Sequence, residues 1–163
     1  MEQYGEISHM TIRLARAHRV AATRLLQRVG LFPGQELLLM RLWEQDHQPQ
    51  RDLAAALKLD ASTVTRTLQR LEQQGLLSRS PSPADGRSTI VSLTPKGAEL
   101  RCQVEQLWGE LEAITTAGLS ERQRNDALRL LRRLERNLID DDATDRAATT
   151  TTTRTRPAPH AAP

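Results

Sequence analysis

Between Ser62 and Gln73 the chain holds hydroxyls, amides and guanidinium groups at spacings that could read a base-bearing polyanion. At about 100° per residue, Val64, Leu68 and Leu71 fall together on one side of a helix. Ser62, Arg66, Gln69, Arg70 and Gln73 fall on the other, with Thr63 and Thr65 at its edges and Glu72 off it. That outward face carries no acid. A guanidinium can fork onto the acceptor edge of guanine, a Gln amide can pair with adenine, and a Thr methyl can meet thymine. Taken alone, the segment could equally be a solvated amphipathic helix. Its setting argues otherwise: a short helix opened by Arg51 and a tight Leu57–Asp60 turn precede it, and a basic hairpin follows. In a helix-turn-helix the first helix crosses the duplex backbone while the second enters the major groove.

The hairpin carries the second signal. Arg79 leads into it, and Arg87 sits beside Gly86 at the tip, with Asp85 two residues earlier. An arginine on a flexible tip can enter a narrow minor groove, where the negative potential is strongest. A carboxylate is out of place near phosphates unless it orients an arginine. The plainer alternative is a surface turn with an ion pair of small value.

Other chemistry lacks its parts. No nucleophile is paired with a base and no glycine-rich loop could cradle phosphate, so no catalytic residues and no cofactor are expected. His9 and His18 lie nine residues apart, which does not stack them on one helix face, and no Cys/His cluster suggests a metal. Cys102 is the single cysteine and cannot close an internal disulfide. It is either a small buried packing residue or a thiol that would need an outside partner to oxidise. No run of about 18 apolar residues could span a membrane, and no export signal opens the chain, so the expected compartment is the cytoplasm.

The elements that position the face are legible from periodicity and punctuation. With 163 residues, 38% hydrophobic and 2% aromatic, the core must be built from aliphatic side chains, which suits packed helices. The net charge is +3, carried by 21 Arg against two Lys. Arginine forks onto phosphate, but a GC-rich genome would produce the same bias. A helix is expected over 6–29, closed by Gly30, and another from Pro33 through LLLMRLW at 37–43. Residues 44–50 read as a loop, and Arg51–Lys58 as a short helix. Asp60 caps the reading helix, which ends at Gly75. Period-two patterning from Leu77 and over Thr89–Leu93, with turn residues at 80–88 between, gives a two-stranded hairpin. Thr94 and Pro95 start a long helix that Gly118 breaks. Ser120 with Gln123 caps a last helix carrying Leu128, Leu131, Leu134 and Leu138. The Ala/Thr/Pro-rich stretch 143–163 is expected to stay disordered. The fold class is therefore mostly α with a small two-stranded β-wing.

The stretches LAAALKLDASTVTRTLQRLEQQGLLSRS (53–80), ADGR (84–87) and VSLTPKG (91–97) resemble the multiple antibiotic resistance regulator (MarR) family of bacterial winged-helix transcription factors. The resemblance covers about residues 6 to 140. It implies a winged helix-turn-helix over 31–97, an N-terminal dimerisation helix over 1–30, and C-terminal dimerisation helices over 98–142. It implies a homodimer on double-stranded DNA, Arg66 and its neighbours reading the major groove, and Arg87 in the minor groove braced by Asp85. The flanking helices also carry more apolar surface than a small winged helix can cover. A two-fold pair would set its reading helices about 34 Å apart, hence a palindromic site.

Relatives that sense small aromatic acids would place a cleft near Met10, Leu14, Met40, Trp43 and Trp108. Such a group at helical spacing is also what plain core looks like. Three readings stay open: a repressor released by a small aromatic ligand; a DNA-binding regulator controlled by a partner, its concentration or oxidation of its cysteine; and a winged helix used for protein contacts, or an unrecognised enzyme. The acid-free face and the tip arginine weigh against the third.

Overall fold

The computed structural model describes the backbone of residues 5–83, 85–86 and 88–153, and side chains as far as residue 141. Among these, the order is α1 (Glu6–Leu26), α2 (Gln35–Glu44), β1 (Gln48–Pro49), α3 (Gln50–Leu57), α4 (Ala61–Gln73), β2 (Leu77–Pro81), β3 (Thr89–Leu93), α5 (Pro95–Glu99), α6 (Arg101–Thr115) and α7 (Glu121–Thr153). The chain forms two compact units, Met1–Thr115 and Thr116–Pro163. The architecture is mainly helical with a small antiparallel sheet.

In the first unit α1 ends in a 3₁₀ turn, Gln27–Val29, and Gly30 takes the left-handed conformation that stops it. α2 starts at Gln35 rather than Pro33. Phe32 to Gly34 form a turn, Gln35 Oε1 accepts from Phe32 N at 2.8 Å, and Glu36 Oε2 accepts from Gly34 N at 2.7 Å. The side chains of the first helical turn thus supply the cap that Pro33 was expected to make unnecessary.

The sheet has three strands in the order β1-β3-β2, not the expected two. The third comes from residues read as a loop: Gln48 lies opposite Val91 and Pro49 opposite Ile90. Gln48 is buried, and its amide donates to the carbonyls of Arg41 and Gln45, so burying it leaves no donor orphaned. Pro49 sits on an edge strand, where its missing N–H is tolerated.

Leu31, Leu38, Leu39 and Leu42 meet Leu53, Val64, Leu68, Leu71, Leu77, Val91 and Val104 in one aliphatic core. The chain after the sheet is pressed onto the end of α4. A Cβ on Gly97 would lie 1.9 Å from the carbonyl oxygen of Leu76, so only glycine fits. Thr94 caps α5 by accepting from Gly97 N at 3.1 Å, and α6 follows α5 as a separate helix. Leu107 and Leu111 of α6 pack on Leu25, Ala21 and Ala22 of α1, beside the Arg28–Glu110 ion pair.

In the second unit Ser120 and Gln123 form the expected reciprocal cap, at 2.8 Å and 3.3 Å. α7 then continues past residue 142 to Thr153, where disorder had been expected from Ala143. Adding residues to an existing helix is far easier than nucleating one, and Ala143, Ala147 and Ala148 favour it. Residues 154–163 lie outside the described residues.

Candidate nucleic-acid interface

The site is built on α4. Asp60 starts it: Oδ1 accepts from Thr63 N at 2.8 Å and Ser62 Oγ at 2.6 Å, and Oδ2 from Thr63 Oγ1 at 2.6 Å. The hydroxyls of Ser62 and Thr63, then the Thr63 amide, hold this carboxyl well below the usual carboxylate range. Val64, Leu68 and Leu71 are fully buried, which orients the helix. The opposite face is the one expected: Ser62, Thr63, Arg66, Gln69, Arg70 and Gln73 are exposed, and Thr65 is half-buried at its edge. Neither Arg66 nor Arg70 forms an ion pair with a carboxylate among the described residues. Two guanidinium groups are therefore presented uncommitted on a helix surface whose back is locked into the core.

Thr65 has a supporting partner that the sequence did not reveal. Its hydroxyl donates to Ala61 O at 2.7 Å and accepts from Gln50 Nε2 at 2.8 Å, tying α3 to α4. The two residues are 15 apart, so no local pattern marks the bond. Arg51 opens toward solvent at the start of α3, with Asp52 3.4 Å away.

The hairpin departs from expectation at one position. Arg79 does not lead outward; its Nε and Nη2 donate to Glu72 Oε2 at 3.0 Å and 2.6 Å, and its side chain is 25% exposed. Its cation is committed because β2 returns along the end of α4, a neighbourhood set by the turn at Gly75. Asp85 Oδ2 accepts from Ser88 Oγ at 2.8 Å, and Ser82 N donates to Ser88 O at 2.8 Å, which closes the loop. Arg87, and with it the expected bracing by Asp85, lies outside the described residues. A cleft of about 460 Å³, edged by Gln50, Arg51, Ala61 and Asp85, separates the helix pair from the wing.

The five residues expected around a ligand are not gathered in one described cavity. Met10 and Leu14 on α1 are exposed, and Met40 is at the margin of exposure. Trp43 packs on the main core and donates from Nε1 to Gly97 O at 2.9 Å. Trp108 spans both apolar clusters and tilts against His18, ring centroids 6.5 Å apart. Of the five, Trp108 alone lines a described cavity, a crevice of about 10 Å³ with room for no more than a water. Cys102 is exposed, which corrects the expectation of a buried packing residue. Val104, Leu107 and Leu111 take the inner side of α6, and position 102 lies about 200° round the helix from 104. Among the described residues there is no cluster of His, Cys, Asp and Glu that could hold a metal ion, and no helix long and apolar enough to cross a membrane.

Residues 32–89, from the turn before α2 to the start of β3, match the model of the MarR family. The chain is 36% identical over 106 residues to the organic hydroperoxide resistance transcriptional regulator of Bacillus subtilis (strain 168), covering 65% of this chain and 69% of the relative. The chain belongs to the MarR family. A MarR transcriptional regulator from Methanosarcina mazei Go1 superposes with a TM-score of 0.73 at 28% identity, over 82% of this chain and 96% of that one. Bordetella bronchiseptica BpsR does so at 0.73 and 26%, over 82% and 95%. This MarR-family chain is thus a DNA-binding transcriptional regulator with a winged-helix fold, in a family of regulators rather than enzymes.

Proposed function

We propose that this MarR-family chain binds a palindromic operator as a homodimer, represses the promoter there, and is released by a small aromatic ligand. In this reading residues 31–97 contact DNA, 1–30 and 98–142 hold the dimer, and the protein works in the cytoplasm. The observation that carries it is the outward face of α4, where Arg66 and Arg70 form no ion pair with a carboxylate among the described residues while Val64, Leu68 and Leu71 fix the helix behind them. Supporting the dimer, α1 exposes Ile7, Met10, Ile12, Leu14 and Val20, and α7 exposes Leu128, Leu131, Leu134 and Leu138. Apolar stripes of this size on a folded chain mark an interface. Supporting the ligand, the DNA binding of Bordetella BpsR is regulated by 6-hydroxynicotinic acid, an aromatic acid. Met10, Leu14, Met40, Trp43 and Trp108 would line the ligand site only once a second copy is in place.

Selection of duplexes from a random pool tests the operator, and a palindrome with half-sites about one helical turn apart is the expected product. Failure to enrich any sequence refutes the proposal. Arg87→Ala should lower the slope of log affinity against log salt by about one, since one phosphate-neutralising cation is lost. An aromatic acid that binds the fold should raise its melting temperature in a thermal-shift screen. The exposure of Cys102 favours a second reading, release by thiol oxidation rather than by ligand. Under that reading Cys102→Ser abolishes the response to peroxide and leaves DNA affinity unchanged.

A further inference from the structure

α4 and β2 meet at the Gln74–Leu76 corner, where the chain turns through the left-handed Gly75. Bonds to backbone carbonyls brace that corner: Thr94 Oγ1 donates to Gly75 O at 2.7 Å, the Lys96 ammonium to Gln74 O at 2.8 Å, and Leu76 N to Leu71 O at 3.0 Å. Among the described residues one ion pair crosses it. Glu72, on the last turn of α4, receives both Nε and Nη2 of Arg79 on β2, and Arg79 is the more buried partner. A guanidinium gripped through two nitrogens has little rotational freedom, so the bond fixes a direction as well as a distance. Arg79 stands opposite Val91, the buried residue of β3 that anchors the wing in the core.

We propose that Glu72 is a positioning residue for operator recognition: by holding Arg79 it sets the angle between the reading helix and the wing, so that both meet their grooves together. The inference rests on the operator reading above and adds to it a determinant of specificity that does not touch the duplex. The Glu72 carboxylate would otherwise be a liability. A negative charge beside a polyanion weakens binding, so an ornamental pair makes its removal strengthen binding to every duplex. A positioning role gives the opposite sign, and only on the recognised sequence, because a misaimed wing costs contacts that a random duplex never offered.

The full-length chain is first used to enrich duplexes from a random pool. Affinities for the enriched duplex and for a scrambled duplex of equal length are then measured at one salt concentration, alongside melting temperatures. Glu72→Gln should bind the enriched duplex roughly tenfold more weakly while binding the scrambled duplex as well as or better than the parent, with its melting temperature little changed. The double exchange Glu72→Arg with Arg79→Glu, which restores an ion pair of reversed polarity, should recover most of the lost discrimination. Equal tightening on both duplexes overturns the proposal. So does parallel weakening with a collapsed melting temperature, which means the pair only holds the fold. Discrimination that stays lost in the exchanged pair also overturns it, since Arg79 would then be reading the duplex itself. If the parent chain enriches no sequence, the operator reading fails before any variant is made, and this inference with it.

Discussion

The winged core and the terminal helices treat their apolar side chains in opposite ways. Leu38, Leu53, Val64, Leu68 and Val91 are completely buried within one chain. Apart from Leu25 and Leu26 at the end of α1, large aliphatic residues of α1 and α7 face outward: Ile12 is 68% exposed, Leu138 70% and Leu131 50%. At about 25 cal/mol per Å² of apolar surface, leaving such stripes in water forgoes several kcal/mol. The winged part is therefore finished within one chain, whereas the terminal helices each leave an apolar face in water. Under the proposed operator reading, specificity sits on the finished part, whose outward face stands on a buried base, and the terminal helices are where association would be controlled.

The sharpest way to break the finished half is Gly97→Ala. The added methyl would collide with the Leu76 carbonyl, which is backbone and cannot swing aside. A loss of about 3 kcal/mol or more is expected, read as a large fall in melting temperature or failure to fold. An unchanged melting curve would show that the corner between α4 and α5 can open. The unfinished half is broken by Leu131→Glu on α7, which should yield monomers by light scattering and reduce operator affinity about a hundredfold or more through lost bivalency. A dimer of undiminished mass would place the interface elsewhere.

Arg66→Ala tests the reading face without touching either half's packing. It should cost about 1–3 kcal/mol at one base pair and relax preference there, with melting unchanged. Equal affinity for all base substitutions before and after the change would remove Arg66 from the readout.

The smallest effect concerns Glu36, buried at the start of α2. Burial raises its carboxyl above the ordinary range, and the Glu36 and Gly34 amides and then Arg19 only partly oppose this. An acid raised in this way holds its proton better in the folded chain than in the unfolded one. Stability is thus favoured at low pH and falls as pH rises from the ordinary carboxylate range through the folded value. Glu36→Gln should flatten that slope and melt at or slightly above the parent at pH 8. A variant that is less stable at pH 8 would mean the charged form is needed.

Much of the contrast between the two halves is legible in the sequence, because its determinants are local. Asp60 and Ser120 cap because the side-chain oxygen needed sits three residues from the amide it accepts, or closer. Val64, Leu68 and Leu71 turn inward because their spacing follows the helix. Most of what stayed hidden depended on residues distant in the chain. Gln48 and Pro49 make a strand only because β3 supplies their partners, 43 and 41 residues away by the registers 48 with 91 and 49 with 90. Cys102 was placed by composition, whereas its exposure follows from which side of α6 meets α1. The start of α2 was misplaced by two residues because the capping groups lie inside the helix, at Gln35 and Glu36.

The sequence by itself determined the helices, the caps, the outward polar stripe of α4 and the presence of a wing, since each depends on periodicity or on neighbours within one helical turn. Only the tertiary structure decided that Arg79 belongs to Glu72, that Thr65 is held by Gln50, and that Gly97 must be glycine. Those choices turn on which elements, seven to more than twenty residues apart along the chain, the fold brings within three or four ångströms, and helical or strand periodicity does not encode that distance.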